Sequence, residues 1–278
     1  MQTSIKPLRA PVTGRIPVAI LLSEGAQMID YAGPWEVFQD VVNPKTEQAA
    51  FQLYTVGETR PPITVSGGMK VLPSFDFGNA PLPKVLVIPA QQGESAATLN
   101  WIRRCAKQAD VVMSVCTGAF LLAKTGLLDG RPATTIAGAY KMLEMTYPKV
   151  KVQRGVRFVE SGNLACSAGL SAGIDLALRV VTRYFGPDVA DETATMMEYA
   201  GKGWIDPRET SDIYSRIAKY RKPPFCPVCD ASVGKSIAVS LKDQTFYFCS
   251  PGCKRAFLAS PEKYLQATSF STNGTKSP

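Results

Sequence analysis

The 278-residue sequence predicts an α/β protein: a doubly wound, mostly parallel sheet covered by helices on both faces, followed by a small second unit built on cysteines. Three observations carry this. Short apolar runs alternate with longer helical patterns through the first 200 residues. The 45% hydrophobic and 19% charged fractions are those of a chain with a sizeable core. Four of the seven cysteines fall in two close pairs near the C-terminus.

Taken in order, the strands are "VAILL" at 18–22, "FQLYTV" at 51–56, "VLVIPA" at 85–90, "DVVMSV" at 110–115, and a hairpin of "VKVQRG" and "VRFVES" turning at Gly155. Helices fall between them. "GPWEVFQDVV" predicts a helix from Gly33 and Pro34, because proline is tolerated in a first turn whose N–H groups have no partner. "ESAATLNWIRRCAKQA" carries Leu99, Ile102 and Ala106 at helical spacing, and "GLSAGIDLALRVVTRYFG" repeats Leu170, Ile174, Leu178 and Val181 before Gly186 stops it. These patterns divide the chain into an extension at 1–14, a sheet domain at 15–200, a linker at 201–224 with one short helix, a four-cysteine unit at 225–265, and a polar tail at 266–278 read as disordered.

Composition removes several function classes. No apolar run reaches the ~20 residues of a membrane span, and the basic-then-apolar N-terminus is broken by Pro17 with no cleavage site after it, so the expectation is a cytoplasmic protein. Seven cysteines, an odd number, point to thiols and metal ligands over a disulfide framework. The chain has no histidine, which excludes an imidazole base or ligand from its own residues. The net charge of +8 is concentrated late: residues 201–278 hold 12 basic and 6 acidic residues, against 19 and 17 before them. Four thiolates on a divalent metal would offset two of those charges, so nucleic-acid binding is not expected.

"VVMSVCTGAFLLAKTGLLDG" sends an apolar strand into Cys116 and Thr117 and then opens a helix at Gly118. In a doubly wound sheet, ligands bind beyond the carboxyl ends of the strands, and a tight strand-to-helix turn presents its apical side chain there. Cys116 then reads either as a nucleophile or as a small buried hydrophobe. The helix N-terminus is expected to lower a thiol pKa from ~8.5 to around 6. Without histidine, the proton carrier must be a carboxylate, a hydroxyl chain or water. Asp30 follows the first strand on the same sheet edge, with a capping or turn aspartate as the alternative reading.

Three blocks, "IDYAGPWEVF", "VMSVCTGAFLLAKTGLLDGRPATT" and "CSAGLSAGIDLALRVV", resemble the ThiJ/PfpI superfamily, the class I glutamine amidotransferase-like group with a flavodoxin-like fold. The nearest pattern is the isonitrile hydratase-like branch, which is also similar to the amidotransferase-like domain of certain AraC-type regulators. The resemblance implies a lyase with Cys116 as nucleophile, Asp30 as proton carrier and Thr117 stabilising charge, acting on a small-molecule substrate in a homodimer with no cofactor for that chemistry. A non-catalytic small-molecule, redox or metal sensor, and glyoxalase or deglycase activity on reactive carbonyls, are the alternatives. The chain departs from the family where Ile136 replaces a usual histidine after Thr134 and Thr135. It departs again where Ala90 and Gln91 follow Pro89 in place of two glycines. Cys166 reads as structural, with a redox partnership to Cys116 as the lesser reading.

Near the C-terminus, Cys226, Cys229, Cys249 and Cys253 are spaced C-x2-C, nineteen residues, C-x3-C, so that a hairpin between the pairs lets them converge on one tetrahedral ion. "TFYFC" predicts the second strand of that hairpin, and "SPGCKRAFLAS" a helix capped by Ser250 with Cys253 in its first turn. The stretch resembles the YHS/TRASH group of zinc-ribbon or treble-clef-like domains, without the histidine of that name. All-sulfur ligation favours zinc in a structural role.

Overall fold

A computed structural model describes residues 6–208, 211–220, 223–231 and 233–265; the polar tail at 266–278 lies outside the described residues. Seven strands form one sheet: β1 (Ile16–Leu21), β2 (Phe51–Gly57), β3 (Phe75–Asp76), β4 (Val85–Ile88), β5 (Val111–Val115), β6 (Phe158–Ser161) and β7 (Leu164–Ser167). Their spatial order is β6-β7-β5-β4-β1-β2-β3, and every neighbouring pair is parallel except the β6–β7 hairpin. The chain runs outward from β1 through β2 and then returns to β4 on its other side. That reversal leaves a crevice at the carboxyl ends of β1 and β4.

Alternate residues of each strand supply two separate cores. Val18 and Ile20 of β1, with Val85 and Val87 of β4, face α1 (Met28–Gln39) and α5 (Ala172–Phe185). Ala19, Leu21, Leu86 and Ile88 face the opposite layer with α2 (Ala96–Ala106) and α3 (Gly118–Lys124). Strands buried on both sides read as continuous apolar runs, which is why the sequence pattern locates them. In α2 the inward residues are Trp101, Ile102 and Cys105, so the expected stripe of Leu99, Ile102 and Ala106 is rotated and only Ile102 is fully inside.

Three expectations are corrected. Helix α1 begins at Met28 and contains Pro34, so Asp30 sits in a helical turn; the proline costs the bond its N–H would have made to the Asp30 carbonyl but does not end the helix. The hairpin expected at Gly155 is absent: Lys151–Val152 pairs in parallel with Pro132–Ala133, while β6 turns back on β7 at Gly162, whose φ of +64° suits glycine. Leu170 is not on the core face of α5. It precedes that helix with φ +52° and is 41% exposed.

Between residues 124 and 172 the chain forms one further α-helix, α4 (Tyr140–Thr146), led by a 3-10 turn at Ala137–Ala139. Past α5, α6 (Pro187–Met196) packs against it, and α7 (Ser211–Tyr220) is the helix expected in the linker. The last unit pairs β8 (Ala238–Leu241) with β9 (Gln244–Tyr247) and adds α8 (Pro251–Ala259) and α9 (Pro261–Leu265). Its small core centres on Phe248, Phe257 and Tyr264 and takes in Met145 of α4. Among the described residues no helix is long and apolar enough to cross a membrane.

Candidate active site and metal centre

Cys116 stands between β5 and α3 with φ +57°, a left-handed conformation that costs an L-residue roughly 1–2 kcal/mol. Its backbone is held on both sides. The Cys116 N–H donates to the Ala168 carbonyl at 3.0 Å, and the Thr135 hydroxyl donates to the Cys116 carbonyl at 2.8 Å. Gly118 allows the turn to close, because a Cβ there would lie 2.2 Å from the Ile88 carbonyl oxygen. This is a strained elbow fixed by its surroundings, a kind of strain that clusters at functional sites.

Cys116 is 6% exposed, and its sulfur lies near the backbone N–H groups of Thr117 and Leu170. Leu170 reaches it because its own φ is positive, a role that its apolar side chain hid in the sequence. Burial, with the Asp30 carboxylate next to it, pushes the thiol pKa up to about 12, and the two N–H groups only moderate this. The lowered thiol pKa expected from the helix terminus is therefore overturned: desolvation outweighs the dipole, and Cys116 rests protonated at neutral pH.

Asp30 is fully buried at the crevice between β1 and β4. Its Oδ2 accepts the Ala90 N–H at 3.1 Å, so the altered turn after Pro89 still supplies a backbone donor. Its carboxyl lies against the Cys116 thiol, but Oδ1 has no well-aligned hydrogen-bond partner in the protein. Burial pushes its pKa up to about 6, against the lowering effect of the Ala90 and Cys116 contacts. At pH 7 the pair is a thiol facing a carboxylate.

The substituted positions near the elbow have defined places. Ile136 packs against the core that includes Cys116, and a side chain at Gly169 would meet Ile136 at 2.7 Å. Gln91 ties the loops after β1 and β4 together, its Oε1 accepting from Ser23 N at 2.7 Å and Ser23 Oγ at 3.0 Å. Cys166 faces the α2/α3 core while Cys116 lies in the α1/α5 core, so the sheet separates them and the redox partnership is not supported.

In the small unit the four cysteine sulfurs lie within 4.8 Å of one another, three buried and Cys249 exposed. Cys249 Sγ is 3.3 Å from Cys229 Sγ and 3.4 Å from Cys253 Sγ. Four sulfurs at ~2.3 Å from one tetrahedral ion would be about 3.8 Å apart. The donor set and its spacing fit such an ion. Ser250 Oγ accepts the Cys253 N–H, capping α8 as expected and fixing the fourth sulfur.

The profile of the DJ-1/PfpI family matches residues 17–183, and that of the YHS domain matches residues 226–268. The isonitrile hydratase of Pseudomonas putida is 34% identical over 190 residues, 66% of this chain and 79% of that protein. The HTH-type transcriptional regulator CdhR of Pseudomonas aeruginosa is 31% identical over 53% of this chain, which spans only 44% of the regulator. Among solved structures, a ThiJ/PfpI family protein from Pseudomonas syringae superposes with a TM-score of 0.60 at 24% identity, covering 76% of this chain and 89% of that one. Drosophila melanogaster DJ-1beta superposes with a TM-score of 0.57 at 18% identity over 68% of this chain and all of its own. With its elbow cysteine, its crevice carboxylate and a matched segment that spans the whole sheet, the chain belongs to the DJ-1/PfpI family and carries a YHS domain behind it.

Proposed function

We propose that the sheet domain is a cysteine-dependent hydratase that converts a small isonitrile to an N-substituted formamide. The observation that carries this reading is the buried contact between the Cys116 thiol and the Asp30 carboxylate, with two backbone N–H groups already aimed at the sulfur. Isonitrile carbon accepts a nucleophile and a proton at the same atom, and this pair supplies one of each. Sulfur bonds to the terminal carbon of R–N≡C while Asp30 takes the thiol proton and returns it to that carbon, giving the thioimidate R–N=CH–S. Water then adds to the same carbon, its proton passing through Asp30 to nitrogen. The C–S bond breaks, and R–NH–CHO leaves as Cys116 is reprotonated.

In the resting pair the thiol holds its proton more tightly than the carboxylate does, so a free thiolate formed before the new bond is disfavoured. Proton transfer therefore accompanies C–S bond formation. The Thr117 and Leu170 N–H groups stabilise the sulfur as it gains negative character and again when it leaves. In the small unit, Cys226, Cys229, Cys249 and Cys253 hold one zinc ion, which closes the fold that its few core residues leave marginal.

A second reading is non-catalytic recognition of a small molecule. The protonated resting thiol and the similarity to regulators favour it. Turnover of cyclohexyl isocyanide by wild type and by Cys116→Ala, followed as formamide formation, decides between them. Hydration is expected for wild type, with a loss of at least about 1000-fold in the variant. Failure of wild type to turn over any isonitrile at high concentration would leave the binding reading in its place.

A further inference from the structure

Beside the elbow lies a recess of about 190 Å³ that the family domain does not enclose by itself. One wall is the loop 168–171 and Ile136, the same segment whose Leu170 N–H reaches the Cys116 sulfur. The other wall is Ile213, Tyr214 and Ile217 of α7, which lies beyond the 17–183 segment matched by the family. A hydrogen bond from the Tyr214 hydroxyl to the Val156 carbonyl, at 2.6 Å, holds α7 in place. Among the described residues, the charged group in the lining is Arg157, and its charge is met by Asp175 at 2.5 Å and by the Ser171 hydroxyl at 3.2 Å.

We propose that α7 completes a substituent pocket for the Cys116 reaction, so that the segment joining the two domains selects substrates carrying a neutral, compact apolar group. The proposal rests on the cysteine-dependent reading of the sheet domain and adds to it the part of the chain that sets specificity. Size and charge argue together. An apolar cavity of about 150 Å³ holds one benzene ring, so this recess takes a ring or branched alkyl group of similar bulk. A charged substituent would enter a space where Arg157 is already paired, and would lose its hydration without gaining a partner among the described residues. Ile136 contributes to the same preference, since the apolar side chain replaces what would be a polar, titratable wall.

The test uses the full metal-loaded chain and two chloroacetamides, one with an N-cyclohexyl substituent and one with an N-carboxymethyl substituent. Alkylation of Cys116 is followed by peptide mass spectrometry, which separates it from the other six thiols. Wild type is expected to react faster with the cyclohexyl reagent by tenfold or more, the scale on which an apolar pocket discriminates. Ile217→Trp, which fills the recess, and Tyr214→Phe, which releases α7, are each expected to bring that ratio to within about threefold of unity. Circular dichroism checks that both remain folded. A wild-type ratio near one, or a ratio unchanged in both folded variants, overturns the proposal. Labelling with the expected selectivity but no isonitrile turnover would remove the hydratase reading and leave the pocket standing.

Discussion

Both units place a buried cysteine at the start of a helix, Cys116 ahead of α3 and Cys253 in the first turn of α8, yet they hold these thiols by opposite means. Around Cys116 two continuous cores bear the cost of a left-handed residue and of a buried carboxyl. Around Cys253 the core is a few aromatic and aliphatic side chains, and the sulfurs themselves must serve as the cross-link. A large core can support strain for the sake of a site, whereas a small one needs its site for stability.

The contrast breaks most visibly if metal is withdrawn. Chelation, or Cys226→Ser, is expected to unfold the small unit, because structural zinc contributes on the order of 10 kcal/mol to such domains. Sheet-domain melting should move little. Calorimetry with metal analysis checks both: a variant that loses its zinc yet keeps its transition unchanged would show that the small unit stands unaided, and one that keeps its zinc would remove Cys226 from the ligand set.

Next in size is Gly118→Ala, which should destabilise the sheet domain by about 3 kcal/mol or more in urea titration, since its Cβ would overlap the Ile88 carbonyl. A change below about 1 kcal/mol would mean that the elbow is far looser than its contacts imply.

Asp30→Asn sharpens the same point through pH. Because burial raises the Asp30 pKa from 3.8 to about 6, its protonated form is favoured in the folded state. That contribution is complete below pH 3.8 and is lost as pH rises through about 6, an amount of up to about 3 kcal/mol. The variant should therefore be the more stable protein at pH 7.5, with the advantage gone near pH 4, while its isonitrile turnover falls at least 100-fold. Wild-type turnover should climb with pH through about 6 as the base ionises. Equal stability of the two proteins at pH 7.5 would place Asp30 in water.

How much of this the sequence discloses depends on the range of the interaction. The central strands β1, β2, β4 and β5 are legible because residues buried on both faces read as apolar runs, whereas the two-residue β3 and the strand β7 are not among those the sequence pattern marks. The Ser250 cap with the four-cysteine spacing is legible because each is local. The start of α1 is not, since Pro34 reads as a first-turn residue, whereas the helix packed against α5 and the sheet already begins at Met28. The second hairpin is misplaced because Gly155 and Gly162 carry the same turn chemistry, with pairing to β5 deciding between them. The positions of Cys116 and Asp30 at the strand ends follow from the strand pattern and Thr117 is proposed from the resemblance, but the Leu170 N–H has no side-chain signature at all. The protonation state of Cys116 depends on how much water the completed fold removes, which no local pattern records.

That protonated state has a bearing on oxidants. Peroxides react with thiolates, and a sulfur whose pKa is near 12 presents almost none at physiological pH. Unassisted oxidation by peroxide should therefore be slow at this sulfur, which reacts where Asp30 can take its proton as the new bond forms.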